Sequence, residues 1–224
     1  MVDYVKRPST PPAAPAGASA APVSLSKVTL TKAAPTVSLA KGSGGQMRVH
    51  LAWNAKPAGA GGGGFLKKLT GGDRGIDLDL GALFELRDGT KGVVQALGGA
   101  FGALDRPPYV LLDGDDRTGG GGENLTVNLD KLSEIRRVLL FAFIYDGVPS
   151  WDKADGVVTL VPQGGAPLEI RLDEHGGSRM CALALLENTG GTLNVRREVR
   201  YIDGAQDKLD QAYGWGMDWT PGRK

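Results

Sequence analysis

The stretch that decides the fold is Val138-Leu-Leu-Phe-Ala-Phe-Ile144. An unbroken apolar run of this length is typical of a central strand buried on both faces, and we expect that strand to span Arg137 to Tyr145. Around it, short alternating apolar and polar segments are separated by Gly, Pro and Asn at intervals of about 8–12 residues. The spacing predicts an all-β protein, a two-sheet β-sandwich with one or two short helices.

The other expected strands share a period-2 alternation of apolar and polar side chains. They are Val23–Lys27, Val28–Lys32, Val37–Lys41, Met47–Trp53, Ile76–Leu86, Val93–Ala96, Tyr109–Leu112, Leu125–Leu129, Val157–Val161, Leu168–Leu172, Met180–Leu186 and Leu193–Tyr201. A helical turn or two is expected within Asp130–Arg136, and a short helix over Gln206–Tyr213. The Asp88-Gly89 pair predicts a hairpin turn.

The composition of the chain limits which partners, domains and locations are expected. The 224 residues are 41% hydrophobic, include 35 glycines and carry a formal net charge of +1, which argues against binding to nucleic acid through global charge. Residues 1–22 are rich in Pro and Ala and are expected to form a disordered arm, with one sandwich domain over residues 23–224. The chain shows neither an apolar run long enough to span a bilayer nor a signal-peptide core. We therefore expect a cytoplasmic protein.

Carboxylates are concentrated in two segments. Asp77 and Asp79 project from one face of the Ile76–Leu86 strand, while the loop Asp113-Gly-Asp-Asp116 leads through four glycines to Glu123. Calcium prefers six to eight hard oxygen ligands in a flexible arrangement, which two such segments could supply at the rim of a sandwich. The alternative is that these are solvated acidic turns. Both interpretations remain open on spacing alone.

Three other sequence features give weaker indications of function. The Gly59, Gly61 and Gly64 pattern lies in low-complexity sequence without a strand–turn–helix context, so dinucleotide binding is not expected. Cys181 lies in an apolar strand, which favours a buried, inert thiol over a nucleophile paired with His50 or His175. The aromatic end, Tyr213 to Trp219, is expected to cap the core, with an exposed docking patch as the alternative.

Several separated motifs, in order, resemble the TerD family of tellurium-resistance and stress proteins. They are Val23–Lys27, Trp53-Asn54, Ile76–Asp79, Gly114–Gly119 and Phe141–Asp146, and three further segments, Pro149–Asp155, Arg197–Tyr201 and Tyr213–Lys224, resemble the TerA-like branch. The resemblance covers roughly residues 23 to 224. It implies a β-sandwich that binds Ca²⁺ through two acidic motifs.

Carried over position by position, the resemblance implies metal ligands at Asp77, Asp79, Asp115, Asp116 and Glu123. Asp116 stands where the family usually has Asn, and Asn54 where Asp is common. The loop after Thr118 has glycines where TerD proper has aspartates. Fewer carboxylates should lower the affinity for calcium or remove one of two sites.

The resemblance implies a non-enzymatic stress-response protein that contributes to tellurite (oxyanion) resistance as a calcium-binding assembly or scaffold module. Its expected partners are other TerD-like tellurium-resistance proteins and a membrane-associated complex. The alternative is a calcium-dependent module that binds glycans or lipid headgroups. A thiol-based reduction of tellurite is disfavoured by the single Cys181.

Overall fold

A computed structural model describes residues 26–39, 44–54, 76–113, 122–146 and 150–220. The proposed arm, residues 1–22, and the loop ligands Asp115 and Asp116 lie outside the described residues. Within the described part, most of the chain is strand, arranged in two sheets. The predicted all-β, two-sheet sandwich is confirmed.

The elements of the described chain are numbered in chain order. The strands are β1 (Val28–Thr29), β2 (Thr36–Leu39), β3 (Gln46–Ala52), β4 (Asp77–Leu86), β5 (Lys91–Val94), β6 (Gly102–Ala103), β7 (Val110–Leu112), β8 (Glu123–Asn128), β9 (Ile135–Asp146), β10 (Gly156–Pro162), β11 (Leu168–Leu172), β12 (Met180–Thr189) and β13 (Thr192–Ile202). The α-helices are α1 (Trp151–Ala154) and α2 (Gln206–Tyr213). The expected helical turn is a 3-10 turn at Leu129–Lys131, and α1 was not predicted.

One sheet has the strand order β1-β11-β10-β3-β8-β7-β6, and the other has the order β2-β13-β12-β9-β4-β5. Neighbouring strands are antiparallel except β1 and β11, which are parallel. The first two strands belong to different sheets, because the chain crosses from the edge of one to the edge of the other between residues 30 and 35. This crossover lies along one lateral side of the sandwich.

The central strand β9 is buried on both faces, as its sequence predicts. Val138, Leu140, Ala142 and Ile144 join the core between the two sheets. Leu139 and Phe141 join a second apolar cluster on the outer face of the six-stranded sheet. A strand between two apolar layers needs apolar side chains at every position, which is why its sequence does not alternate.

The second cluster is covered by α2 and the segment that follows it. Leu209 of α2 and Trp215 are both fully buried there. Trp215 donates a hydrogen bond from Nε1 to the Phe84 carbonyl at 3.0 Å, and the guanidinium of Arg137 lies 3.8 Å from its ring centroid. The expectation that the aromatic end caps the core is therefore confirmed for Trp215.

Candidate metal centre at the acidic end of the sandwich

The two acidic segments meet at one end of the sandwich. Asp77 and Asp79 begin β4 in one sheet, and Glu123 begins β8 in the other. The carboxylate of Glu123 accepts a hydrogen bond from the backbone amide of Leu80, which joins the two sheets directly. We call this region the acidic end. The sequence pattern required that the segments be close in space, and of the second segment the structure places Glu123 beside the start of β4.

Local packing fixes the start of β4. Leu78 and Leu80 are buried in the core, whereas Asp77 and Asp79 alternate to the other face and are half-buried. Trp53, which directly follows β3, also holds the start of β4, because its Nε1 donates a hydrogen bond to the Ile76 carbonyl at 2.9 Å. The predicted alternation of β4 is confirmed at these positions.

Glu123 is buried between the two sheets and is not exposed at the rim of the sandwich. Its residue exposure is 3%, and its carboxylate faces the Leu80 amide between the sheets. A buried carboxylate is costly unless it is hydrogen-bonded, so the Leu80 amide supplies part of the required compensation. Glu123 therefore holds β8 against β4, whether or not its other oxygen also serves as a ligand.

The end of β9 lies beside the start of β4. The strand ladder pairs Asp77 with Asp146, the last residue of β9, next to a register shift. Arg179 lies nearby and donates to the Ile144 carbonyl at 3.0 Å.

The acidic loop is anchored at this same end. The amide of Asp113 donates to the Asn124 carbonyl at 3.0 Å, so the base of the β7–β8 connection is closed. Asn124 also contacts His50, with 2.9 Å between Oδ1 and Nδ1. Among the described residues, no three His, Cys, Asp or Glu side chains are grouped so as to hold a metal ion. A site here therefore depends on Asp115 and Asp116.

The candidate nucleophile, Cys181, lies in the core between the two sheets. Cys181 is fully buried, and burial raises the pKa of its thiol far above the ordinary value. Its Sγ lies 3.5 Å from the Ala182 carbonyl oxygen. His175 is exposed and lies 3.2 Å from Asp152. The expectation of a buried thiol is confirmed.

The fold defined above is that of a TerD-like β-sandwich. A crystal structure of a homologue of the telluride resistance protein TerD from Streptomyces coelicolor A3(2) aligns with a TM-score of 0.50 at 23% identity, covering 72% of this chain and 92% of that one. A crystal structure of a protein of unknown function aligns with a TM-score of 0.52 at 19% identity over the same shares. These likenesses establish the fold.

The sequence comparison is more specific. The chain is 51% identical over 206 residues to the tellurium resistance protein TerA of an Alcaligenes species, covering 90% of this chain and 60% of that protein. No family model matches the chain. The resemblance to tellurium-resistance proteins is thereby confirmed, and the protein is a relative of TerA that spans 60% of its length. No described helix is long and apolar enough to cross a membrane.

Proposed function

We propose that this protein contributes to tellurite resistance as a non-enzymatic, calcium-binding module that assembles with related proteins. The relationship to TerA supports the role in resistance. The observation that supports the calcium site is the hydrogen bond from the Leu80 amide to Glu123, because it holds one proposed ligand against the strand that carries Asp77 and Asp79. The net charge of +1 gives no support to nucleic acid as a partner.

The proposed ligands are Asp77, Asp79, Asp115, Asp116 and Glu123. All five offer carboxylate oxygens, which are the hard ligands that calcium prefers. The first two stand half-buried at the start of β4. Bound calcium would supply positive charge to this end, and relief of the carboxylate repulsion would stabilise the folded state.

The non-enzymatic assignment is supported by the burial of Cys181. A thiol that is removed from water and has a raised pKa is a poor nucleophile and a poor reductant for an oxyanion. The expected site of action is the cytoplasm, with other tellurium-resistance proteins and a membrane-associated complex as partners. A docking surface ordered by calcium would make that assembly depend on the ion.

The first experiment is a calcium titration by calorimetry on the metal-stripped full chain, combined with thermal unfolding. We expect saturable binding and a rise in Tm, since a ligand at about 100 times its Kd adds roughly 2.7 kcal/mol of stability. The Asp77→Asn/Asp79→Asn variant should lose both effects. The Asp105→Asn/Asp207→Asn variant removes the same number of carboxylates from exposed positions and should keep them. Equal calcium affinity in the two variants would contradict the ligand assignment.

The second experiment separates the resistance role from the metal site. Cells that express each variant are challenged with tellurite. Cys181→Ala should still confer resistance, whereas Asp77→Asn/Asp79→Asn should not. Loss of resistance in a folded Cys181→Ala variant would favour thiol chemistry instead. Liposome flotation and glycan arrays, each with and without calcium, test the alternative of a lipid- or glycan-binding module.

A further inference from the structure

A polar pocket lies on the lateral side of the sandwich, where the chain crosses between the sheets. Its volume is about 320 Å³. The lining comes from the crossover, the end of β11 and the middle of β13, and it includes Lys32, Arg171, Asp173, Glu174 and Arg197. We call it the seam pocket. It shares no residue with the acidic end.

Arg197 is the most informative residue of the seam pocket. Its side chain is only 7% exposed, although it carries a full charge. Arg197 follows Val195 with the period of a strand and so points to the side of the core, and its amide donates to the Pro35 carbonyl at 2.7 Å. A guanidinium buried this far needs hydrogen-bond acceptors to compensate for the loss of hydration.

The ion pair with Glu174 engages only part of the hydrogen-bonding capacity of Arg197. Nη2 donates to Oε1 of Glu174 at 2.6 Å, and the other oxygen of Glu174 is taken by Lys32 at 2.8 Å. A guanidinium has five N–H donors in a planar fork, which suits two oxygens of one anion. Because Glu174 is shared between two cations, it does not fill the fork of Arg197, whose side chain borders the pocket.

Charge in the seam pocket favours an anion. Burial would raise the pKa of Glu174, but Arg197 and Lys32 outweigh it and the pKa lies below its ordinary value, so Glu174 is ionised and already neutralised. Arg171 lies 3.3 Å from Glu169, which also pairs with Lys27 at 2.5 Å. Three cationic side chains therefore line the pocket against Glu174 and the exposed carboxylate of Asp173.

We propose that the seam pocket binds a small oxyanion through Arg197, assisted by Lys32 and Arg171. The pocket volume of about 320 Å³ admits a small oxyanion with part of its hydration shell. Asp173 opposes this binding by repulsion and so limits the affinity. This site goes beyond the role proposed above and does not depend on calcium.

Calorimetry on the full chain at constant ionic strength tests the proposal, with inorganic phosphate, sulfate and tellurite as separate probes and chloride as the control anion. We expect saturable binding of one oxyanion per chain. Arg171→Gln should weaken it about two- to fivefold, the range for one partly exposed charge pair, and Asp173→Asn should tighten it about as much. Arg106→Gln removes an exposed charge outside the pocket and should change nothing.

Arg197→Gln should weaken binding by more than about tenfold, because it removes a buried charged donor. The Arg171 and Asp173 variants change exposed side chains, so they keep the test valid if Arg197→Gln does not fold. Absence of saturable binding at millimolar concentrations of all three probes would overturn the proposal. So would Arg171→Gln and Asp173→Asn affinities equal to that of Arg106→Gln.

Discussion

Asp210 fastens the C-terminal segment onto the outer face of the six-stranded sheet. Its carboxylate is almost fully buried and accepts three hydrogen bonds. The donors are the amides of Gly216 and Met217, each at 2.8 Å, and Nε1 of Trp219 at 3.0 Å. Trp215 directly precedes these donors in the chain and packs in the second apolar cluster. Removing the acceptor should therefore loosen the cover of that cluster.

The sharpest perturbation is Asp210→Asn, which keeps the shape and changes the acceptors. The asparagine oxygen can still accept from Gly216, but its NH₂ group would face the donors of Met217 and Trp219. A hydrogen bond to a charged group is worth about 1.5–3 kcal/mol, and two are lost. Because Met217 and Trp219 are only half-buried, water restores part of this, and we expect a loss of about 2–4 kcal/mol.

Urea unfolding followed by tryptophan fluorescence gives the free energy, and calorimetry should show Tm lowered by about 4–16 °C. Amide hydrogen exchange supplies a local readout, since the Met217 amide loses its acceptor and should lose protection, whereas the Gly216 amide keeps an acceptor. The matched control is Asp207→Asn, an exposed carboxylate of the same helix whose lysine contact is 3.7 Å long. If Asp210→Asn and Asp207→Asn were equally stable and equally protected, the structural reasoning would be refuted.

Three further outcomes are expected. Burial would raise the pKa of Glu85, but Arg137 and its neighbouring cations hold the pKa below the ordinary 4.5. The ion pair therefore stabilises the protein above that pH and loses its effect as acid protonates Glu85. In urea unfolding, the loss of unfolding free energy caused by Glu85→Gln should shrink as the pH is lowered. Cys181 should react with a thiol reagent only at the rate of unfolding, and fast labelling of the native protein would contradict its burial. Gly102→Ala should lower Tm more than Gly89→Ala. Both glycines have positive φ, but of the two only Gly102 has a close neighbour, because a Cβ there would collide with the carbonyl oxygen of Val110.

Local pattern predicted the elements well where a single period dominates. The strand β11 has the predicted bounds, α2 begins and ends where expected, and β9 extends the predicted span by two residues at its start and one at its end. The helix α1 was missed because four residues are too few to show a helical period. The predicted strand over Val28–Lys32 is reduced to Val28–Thr29, since the chain then leaves the sheet to cross to its partner.

The sequence by itself determined the fold class, the alternation of β4, the double burial of β9 and the resemblance to tellurium-resistance proteins. All of these depend on the order of residues near one another in the chain. Only the tertiary structure decided that β1 runs parallel to β11, that Glu123 bonds to Leu80, and that Arg197 lines the seam pocket. Those contacts join residues far apart in sequence, and long-range pairing depends on how the sheets twist and pack rather than on any local pattern.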